Sequence, residues 1–356
     1  MTNHAGNGGP RRPTSRDPVP APGSVGSSER ADLLRALGAL SEEPRPEHRR
    51  LADLLELPEG PGAGEFTDVF VMNLYPYASV HLGEEGMMGG EARDRVAGFW
   101  QALGIRPPRE PDHLGSLIGL LAELVEREER EDEPAARVLL GRARAALVRE
   151  HLEPWAPAFL GRVKELAGPY YRGWADLLLE ALREEVSHAA ALPTDTERVL
   201  QVELPLHLRE VPPLPDPRTG DGSSPGADDG DEGGDEGRAT PPTSGEAFLK
   251  ALLAPVRSGI VVTRADLARA ARELDMGTRM GERLYILKAL LGQEPSAILA
   301  WLADEARRQA ARHGAEEGFD EGVTAFWSER AATTARLLDE LASVEVGMHN
   351  GEEHHG

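Results

Sequence analysis

Two short runs in this chain set an acid close to a histidine at spacings where chemistry is done. In EPDHLGSLIGLLAEL, Glu110 to Leu124, Asp112 and His113 stand side by side just before an apolar stripe. Such a pair can cap a helix, form part of a catalytic triad, or be presented to a partner. The cap reading is local: Asp112 accepts a hydrogen bond from a free N–H near Leu114 or Gly115, worth ~1 kcal/mol, and His113 is left exposed. A catalytic reading needs a nucleophile and a third group, and the sequence suggests neither. The second run is Glu185-x-x-His188. Its spacing is that of di-metal helical bundles, which use two such motifs and two further glutamates. This chain offers one motif. His349, His354 and His355 could hold a metal only weakly, and the expectation is no metal and no cofactor.

Other chemistries are excluded by what is missing. The chain has no cysteine, which removes disulfides, thiolate metal sites, iron–sulfur ligation and cysteine catalysis. A phosphate-binding P-loop needs glycine before lysine, and Lys164, Lys250 and Lys288 all lack that neighbour. GPGAGEF is only a chain breaker. A formal charge of −22 repels nucleic-acid phosphates. That so few of the basic residues are lysine reflects genome base composition.

The elements that must position these residues are helices. The chain is 40% hydrophobic but only 5% aromatic, and it favours Leu, Ala, Glu and Arg over the β-branched and aromatic residues of strands. Apolar periodicity predicts helices from Ala31, over His48–Leu57, through Phe66, Val69 and Phe70, over Glu91–Leu103, over Leu114–Val125, over Ala135–Glu150, and from Pro157 to about Ala191. Gly115 and Gly119, four apart, predict a face where another backbone comes close. The stretch NLYPYASVHLGEEGMMGG reads as a loop, more apolar than an exposed connection normally is. Residues 1–28 read as a disordered tail, 29–208 as one helical-bundle domain, 209–245 as an acidic Gly/Pro-rich linker, 246–345 as a small helical module and 346–356 as a second disordered tail. In the module, Thr263 and Asp266 make a T-x-x-D start typical of a capping box.

No apolar run approaches the ~20 residues of a membrane span. Arg11-Arg12 is followed by Pro, Ser and Gly rather than by the apolar stretch of an export signal. A cytoplasmic protein is expected, which the absence of cysteine fits.

Four segments, in order, resemble the TorD/DmsD family, cytoplasmic chaperones of molybdenum-containing oxidoreductases that are related to the nitrate reductase delta-subunit chaperones. EPDHLGSLIGLLAEL is similar to the family's E-x-D-H helix start. EFTDVFVMNLYPYASVHLGEEGMMGG is similar to its helix and hinge-like loop. EHLEPWAPAFLGRV resembles its H-L-x-P-W-x-x-x-F segment at His151, Leu152, Pro154, Trp155 and Phe159. AGPYYRGWADLLLEAL resembles the helix that follows, with Pro169, Tyr170 and Tyr171 at its start. The likeness covers about residues 30–208.

The resemblance implies a single all-helical domain that binds the twin-arginine signal peptide and the apo form of a molybdoenzyme precursor while the cofactor is inserted, before assembly or export. It implies a peptide groove at Phe66, Val69, Phe70, Pro76, Tyr77, Asp112, His113 and Ser116. Relatives often carry tryptophan where this chain has Phe66, Tyr77 and His81, so the groove would suit a different leader. A carboxylate such as Asp112 suits a guanidinium, and the apolar residues suit the helix-forming run behind it. At least half of these aromatics are expected to be mainly core. His113 stays open between orienting Asp112, touching the peptide and titrating as a switch.

Two other readings compete. One is a metal-binding helical enzyme at Glu185 and His188. The other is a DNA-binding regulator, because Ala265–Leu274 and Met280–Leu291 have helix–turn–helix spacing, with Arg264, Arg269, Arg272, Arg279 and Arg283 among them. The sequence leaves open the client enzyme, any nucleotide dependence, monomer against homodimer, and the role of the C-terminal module.

Overall fold

The computed structural model describes residues 27–58, 60, 61, 63–192, 204–219 and 244–352. All but the last two residues of the expected N-terminal tail, most of the acidic linker and residues 353–356 lie outside the described residues. Among the described residues the fold is all-α, with no strand. The first half comprises α1 (Ser27–Ala39), α2 (His48–Leu54), α3 (Ala63–Phe66), α4 (Ala78–Leu82), α5 (Gly90–Ala102), α6 (Leu114–Arg130), α7 (Pro134–Ala146), α8 (Ala156–Leu166) and α9 (Pro169–Ala191). Two wider π-helical segments, Thr67–Asn73 and Leu147–Leu152, extend α3 and α7. The second half comprises α10 (Leu206–Arg209), α11 (Ser244–Leu252), α12 (Pro255–Ser258), α13 (Arg264–Glu273), α14 (Arg283–Leu291), α15 (Pro295–Gly314) and α16 (Glu321–Glu352). α16 thus runs through residues 346–352, part of the stretch expected as a tail. No helix among the described residues is long and apolar enough to cross a membrane.

α6 is the central rod. Leu114, Leu117, Ile118, Leu121, Leu124 and Val125 are buried, the face that apolar periodicity marks out. α1 lies along it and crosses where Gly38 and Gly115 meet. A Cβ on Gly115 would stand 3.1 Å from the Gly38 carbonyl oxygen, whereas one on Gly119 would meet nothing within 4 Å. Only the first of the two predicted glycines makes a close crossing. Trp155, Phe159, Tyr171 and Trp174 fill the centre and are fully buried. Both indole N–H groups donate to carbonyls, Trp174 to Leu37 at 2.9 Å and Trp155 to His151 at 2.8 Å. A buried tryptophan needs such a partner.

A second core gathers Phe248, Leu267, Leu287, Trp301, Leu302 and Leu338 between α11, α13, α14, α15 and α16. It abuts the first. Val256, Val261, Phe319, Val323 and Trp327, all from the C-terminal part of the chain, belong to the first core. The Trp327 indole donates to the Pro154 carbonyl at 2.8 Å. Thr263 caps α13 in a complete capping box with Asp266, as its T-x-x-D start predicts.

The junction also carries charge. Arg162 of α8 is buried and donates to the Asp266 carboxylate at 2.6 Å, with Glu305 of α15 at 3.6 Å. Burial opposes ionisation of both acids, yet Arg162 and the surrounding donors hold their carboxyls below the usual range.

Candidate functional site

The site is built where two distant loops meet edge to edge. The chain leaves the Thr67–Asn73 segment, runs extended through Leu74 to Tyr77 and starts α4. A second loop descends from α5 through Glu110 to His113 and starts α6. The two pair as an isolated antiparallel bridge between Tyr77 and His113. The Ala78 N–H donates to the Asp112 carbonyl at 2.9 Å, and the Leu114 N–H donates to the Pro76 carbonyl at 2.8 Å. Each loop thereby satisfies backbone groups at the other's helix start, groups that a helix cannot pair internally.

Capping differs from the local expectation. His113 caps α6: its Nδ1 accepts from the Gly115 N–H at 3.0 Å. The Asp112 carboxylate turns away and accepts from the Ser79 N–H at 3.1 Å, so it serves α4, 33 residues earlier in the chain. Ser79 passes the connection on, because its Oγ accepts from the Gly89 N–H at 3.1 Å. Asp112 is a strut, 2% exposed, between α6, α4 and the loop that carries Met87 and Met88.

The remaining predicted residues divide by depth. Val69 and Phe70 are core. Phe70 meets Tyr171 edge-on at 4.8 Å and Trp174 at 5.8 Å. Pro76 is buried, Phe66 is half-buried against Phe70, and Ser116 is half-buried in the first turn of α6. The structure brings Pro76, Tyr77, Asp112 and His113 together and directs Val69 and Phe70 into the interior. Tyr77 and His113 stack edge-on at 4.9 Å. The Tyr77 hydroxyl donates to Glu110 at 3.1 Å. Burial, then that hydrogen bond, pushes the Tyr77 hydroxyl up to about 12. Burial lowers His113, against the pull of Glu110, Glu42 and Asp112, which favours a neutral ring. A neutral ring is also what capping through Nδ1 requires.

Sequence reasoning passed over Ser79, whose role depends on a contact far along the chain, and Glu110, the half of the E-x-D-H motif nearest solvent. It also passed over the groove beside them, although the apolar character of the loop signals it. That groove has a volume of about 510 Å³ and runs between the Leu82–Ala92 stretch and α10. Met87 and Met88 stand exposed on its wall at 65% and 60%, and Leu206 at 47%.

The rival sites are occupied by internal partners. Arg144 grips Glu185 through two hydrogen bonds, 2.6 and 2.8 Å, and also reaches Glu128 and His188. The E-x-x-H pair thus belongs to a buried ion cluster, and no group of three or more His, Asp or Glu among the described residues could hold a metal. In the helix–turn–helix-like segment three of the five arginines are engaged by neighbours, while Arg272 and Arg279 are exposed. Arg269 stacks on Trp301 and bonds Glu305, Arg283 donates to the Val262 carbonyl, and Arg264 bonds Glu282.

The helices hold two paired loops beside an open recess. Residues 37–161 match the family model described as Nitrate reductase delta subunit. That family is one of molybdoenzyme maturation chaperones, and the likeness covers 125 of the 356 residues. The match spans α2 to α7, both π-helical segments and the paired loops, and it bears out the resemblance to the TorD/DmsD chaperones. The C-terminal helices lie outside the matched residues. No curated protein and no solved structure matches the chain.

Proposed function

We propose that the protein is a cytoplasmic chaperone, without catalytic activity of its own, that binds the twin-arginine leader and apo form of a molybdopterin-containing oxidoreductase and assists its cofactor insertion, assembly and export. The observation that carries this reading is the family match over the very residues that build the paired loops. The leader meets the outer edge of those loops at Tyr77, His113 and Ser116, and Phe66 packs on Phe70. Glu110 supplies an accessible carboxylate, and Asp112 with Pro76 fixes the loops from behind. Val69 and Phe70 support this face from the core. An overall charge of −22 draws a cationic leader toward the protein. The C-terminal module, residues 246–345, acts as a fixed buttress on the chaperone unit, residues 29–208.

Calorimetry of the full chain against a leader peptide from a molybdoenzyme precursor tests this. Binding at micromolar affinity or tighter is expected. It should weaken for a leader with both arginines changed to lysine, because lysine lacks the planar fork, and for Tyr77→Ala. Absence of binding to any such leader overturns the reading.

A further inference from the structure

Three features make the groove between the Met87–Met88 loop and α10 more than a dent. It is braced on every side. Gly86 sits at φ +61°, and a Cβ there would come within 2.9 Å of the Ala254 Cα, so only glycine lets the loop press against the C-terminal helices. Two residues beyond the methionines' start, Gly89 is held by Ser79, which Asp112 holds in turn. The opposite wall, α10, is tied down by the Leu206 N–H, which donates to Glu150 at 2.9 Å, and by Leu208, buried in the first core.

The braced loop then exposes what a soluble surface normally hides. Met87, Met88 and Leu206 stand out together over a floor that includes buried Leu82 and Ala92. Methionine is unbranched and polarizable, and it moulds to varied apolar partners. The rim is acidic: Glu84, Glu85 and Glu210 are exposed, and Glu91 is engaged with Arg95. Among the described residues Glu85 and Glu210 have no ion-pair partner. Methionines framed by carboxylates complement a segment that is both cationic and apolar, and they repel an anionic lipid surface.

On the basis of the leader-binding reading above, we propose that this groove receives the apolar run of the leader, with the arginines ahead of it pairing with the rim glutamates Glu84, Glu85 and Glu210. α4 joins this groove to the Tyr77–His113 edge. Its five residues span about 8 Å at the α-helical rise, so one peptide of about a dozen residues reaches both ends. Asp112 then acts as a positioning residue, holding the methionine loop through Ser79 and Gly89.

The test uses the full chain with its seven methionines labelled at the methyl carbon, and a synthetic peptide with two adjacent arginines followed by a Leu/Ala run. Met87→Leu and Met88→Leu assign the two signals. Expected are shifts of both methyl resonances on titration and at least tenfold weaker binding by the exposed double variant Met87→Gln/Met88→Gln. Glu85→Gln/Glu210→Gln should weaken binding by roughly fivefold at low salt and much less at high salt. Wild-type binding with both methyl signals stationary and full affinity in the methionine variant overturns the groove while the leader reading stands. Shifts that follow protein concentration without peptide also overturn it, since the occupant is then a second copy of the chain. No binding of the arginine peptide by the wild type overturns both.

Discussion

Carboxylates gather in two places in this molecule, and they do opposite things there. At the junction of α8, α13 and α15, Asp266 and Glu305 are buried and gripped by Arg162 and Arg269. Around the methionine groove Glu84, Glu85 and Glu210 stand in solvent. The residue types are the same. What differs is whether another element packs over them. A buried carboxylate must be compensated or it costs several kcal/mol, so the junction acids are committed to holding the two cores together. The solvated acids cost the fold little and remain available to a cationic partner.

Breaking the junction should give the largest effect. Arg162→Met leaves Asp266 and Glu305 buried without the more deeply buried of the two cations they share, and should lower stability by roughly 3 kcal/mol. Denaturant unfolding reads this directly, and a change within measurement error would show that the junction is not a committed ion cluster.

Glu153 sharpens the comparison, because it is an acid buried at the same boundary without a comparable cation. Its carboxylate accepts from the Asp320 N–H at 2.6 Å, and burial pushes it up to about 7. The folded protein therefore holds this proton more tightly than the unfolded chain does. The stability it contributes is present below the unfolded value and lost as pH rises through about 7. Glu153→Gln should stabilise the protein by about 2 kcal/mol at pH ~8 and by little at pH ~4.5. Melting curves at the two pH values would contradict this if the gain were the same at both. The buried histidines pull the other way. Burial lowers His81 and His207 to about 4 and His151 to about 3, so their contribution falls as the solution is acidified below the ordinary imidazole range.

Asp112→Ala should cost ~1–2 kcal/mol, the price of leaving the Ser79 N–H without its partner. It should also displace the Met87 and Met88 methyl resonances in the absence of peptide. Unmoved resonances would separate the strut from the groove. Glu85→Gln/Glu210→Gln should change stability by less than about 0.5 kcal/mol. A larger loss would mean that these acids, too, serve the fold.

Much of the scaffold was legible in the sequence. The stripe of α6 is set by spacing alone, and Thr263 with Asp266 announces a helix start that the structure reproduces. The E-x-D-H and Pro–Tyr segments form two loops that the structure pairs, and the family match covers both. The division of labour inside the motif was not legible. Asp112 read as the local cap, yet His113 does that work, because the nearest open N–H for the carboxylate is Ser79 across the loop pairing. Gly119 carries the same helical signal as Gly115 but meets nothing, because it lies on the exposed face of α6. Arg269 and Arg283 of the helix–turn–helix-like segment look basic in sequence and are engaged by Trp301, Glu305 and the Val262 carbonyl in space.

The sequence by itself determined the helical class, the main breaks between helices, the acidic balance and the motif positions. These follow from interactions within a few residues, or from sums over the whole chain. Only the tertiary structure decided which carboxylates are struts and which face solvent, which aromatics are core, and where the methionines stand exposed. Those outcomes depend on what distant element removes water from a side chain, and desolvation is a property of the packed molecule that no local spacing encodes.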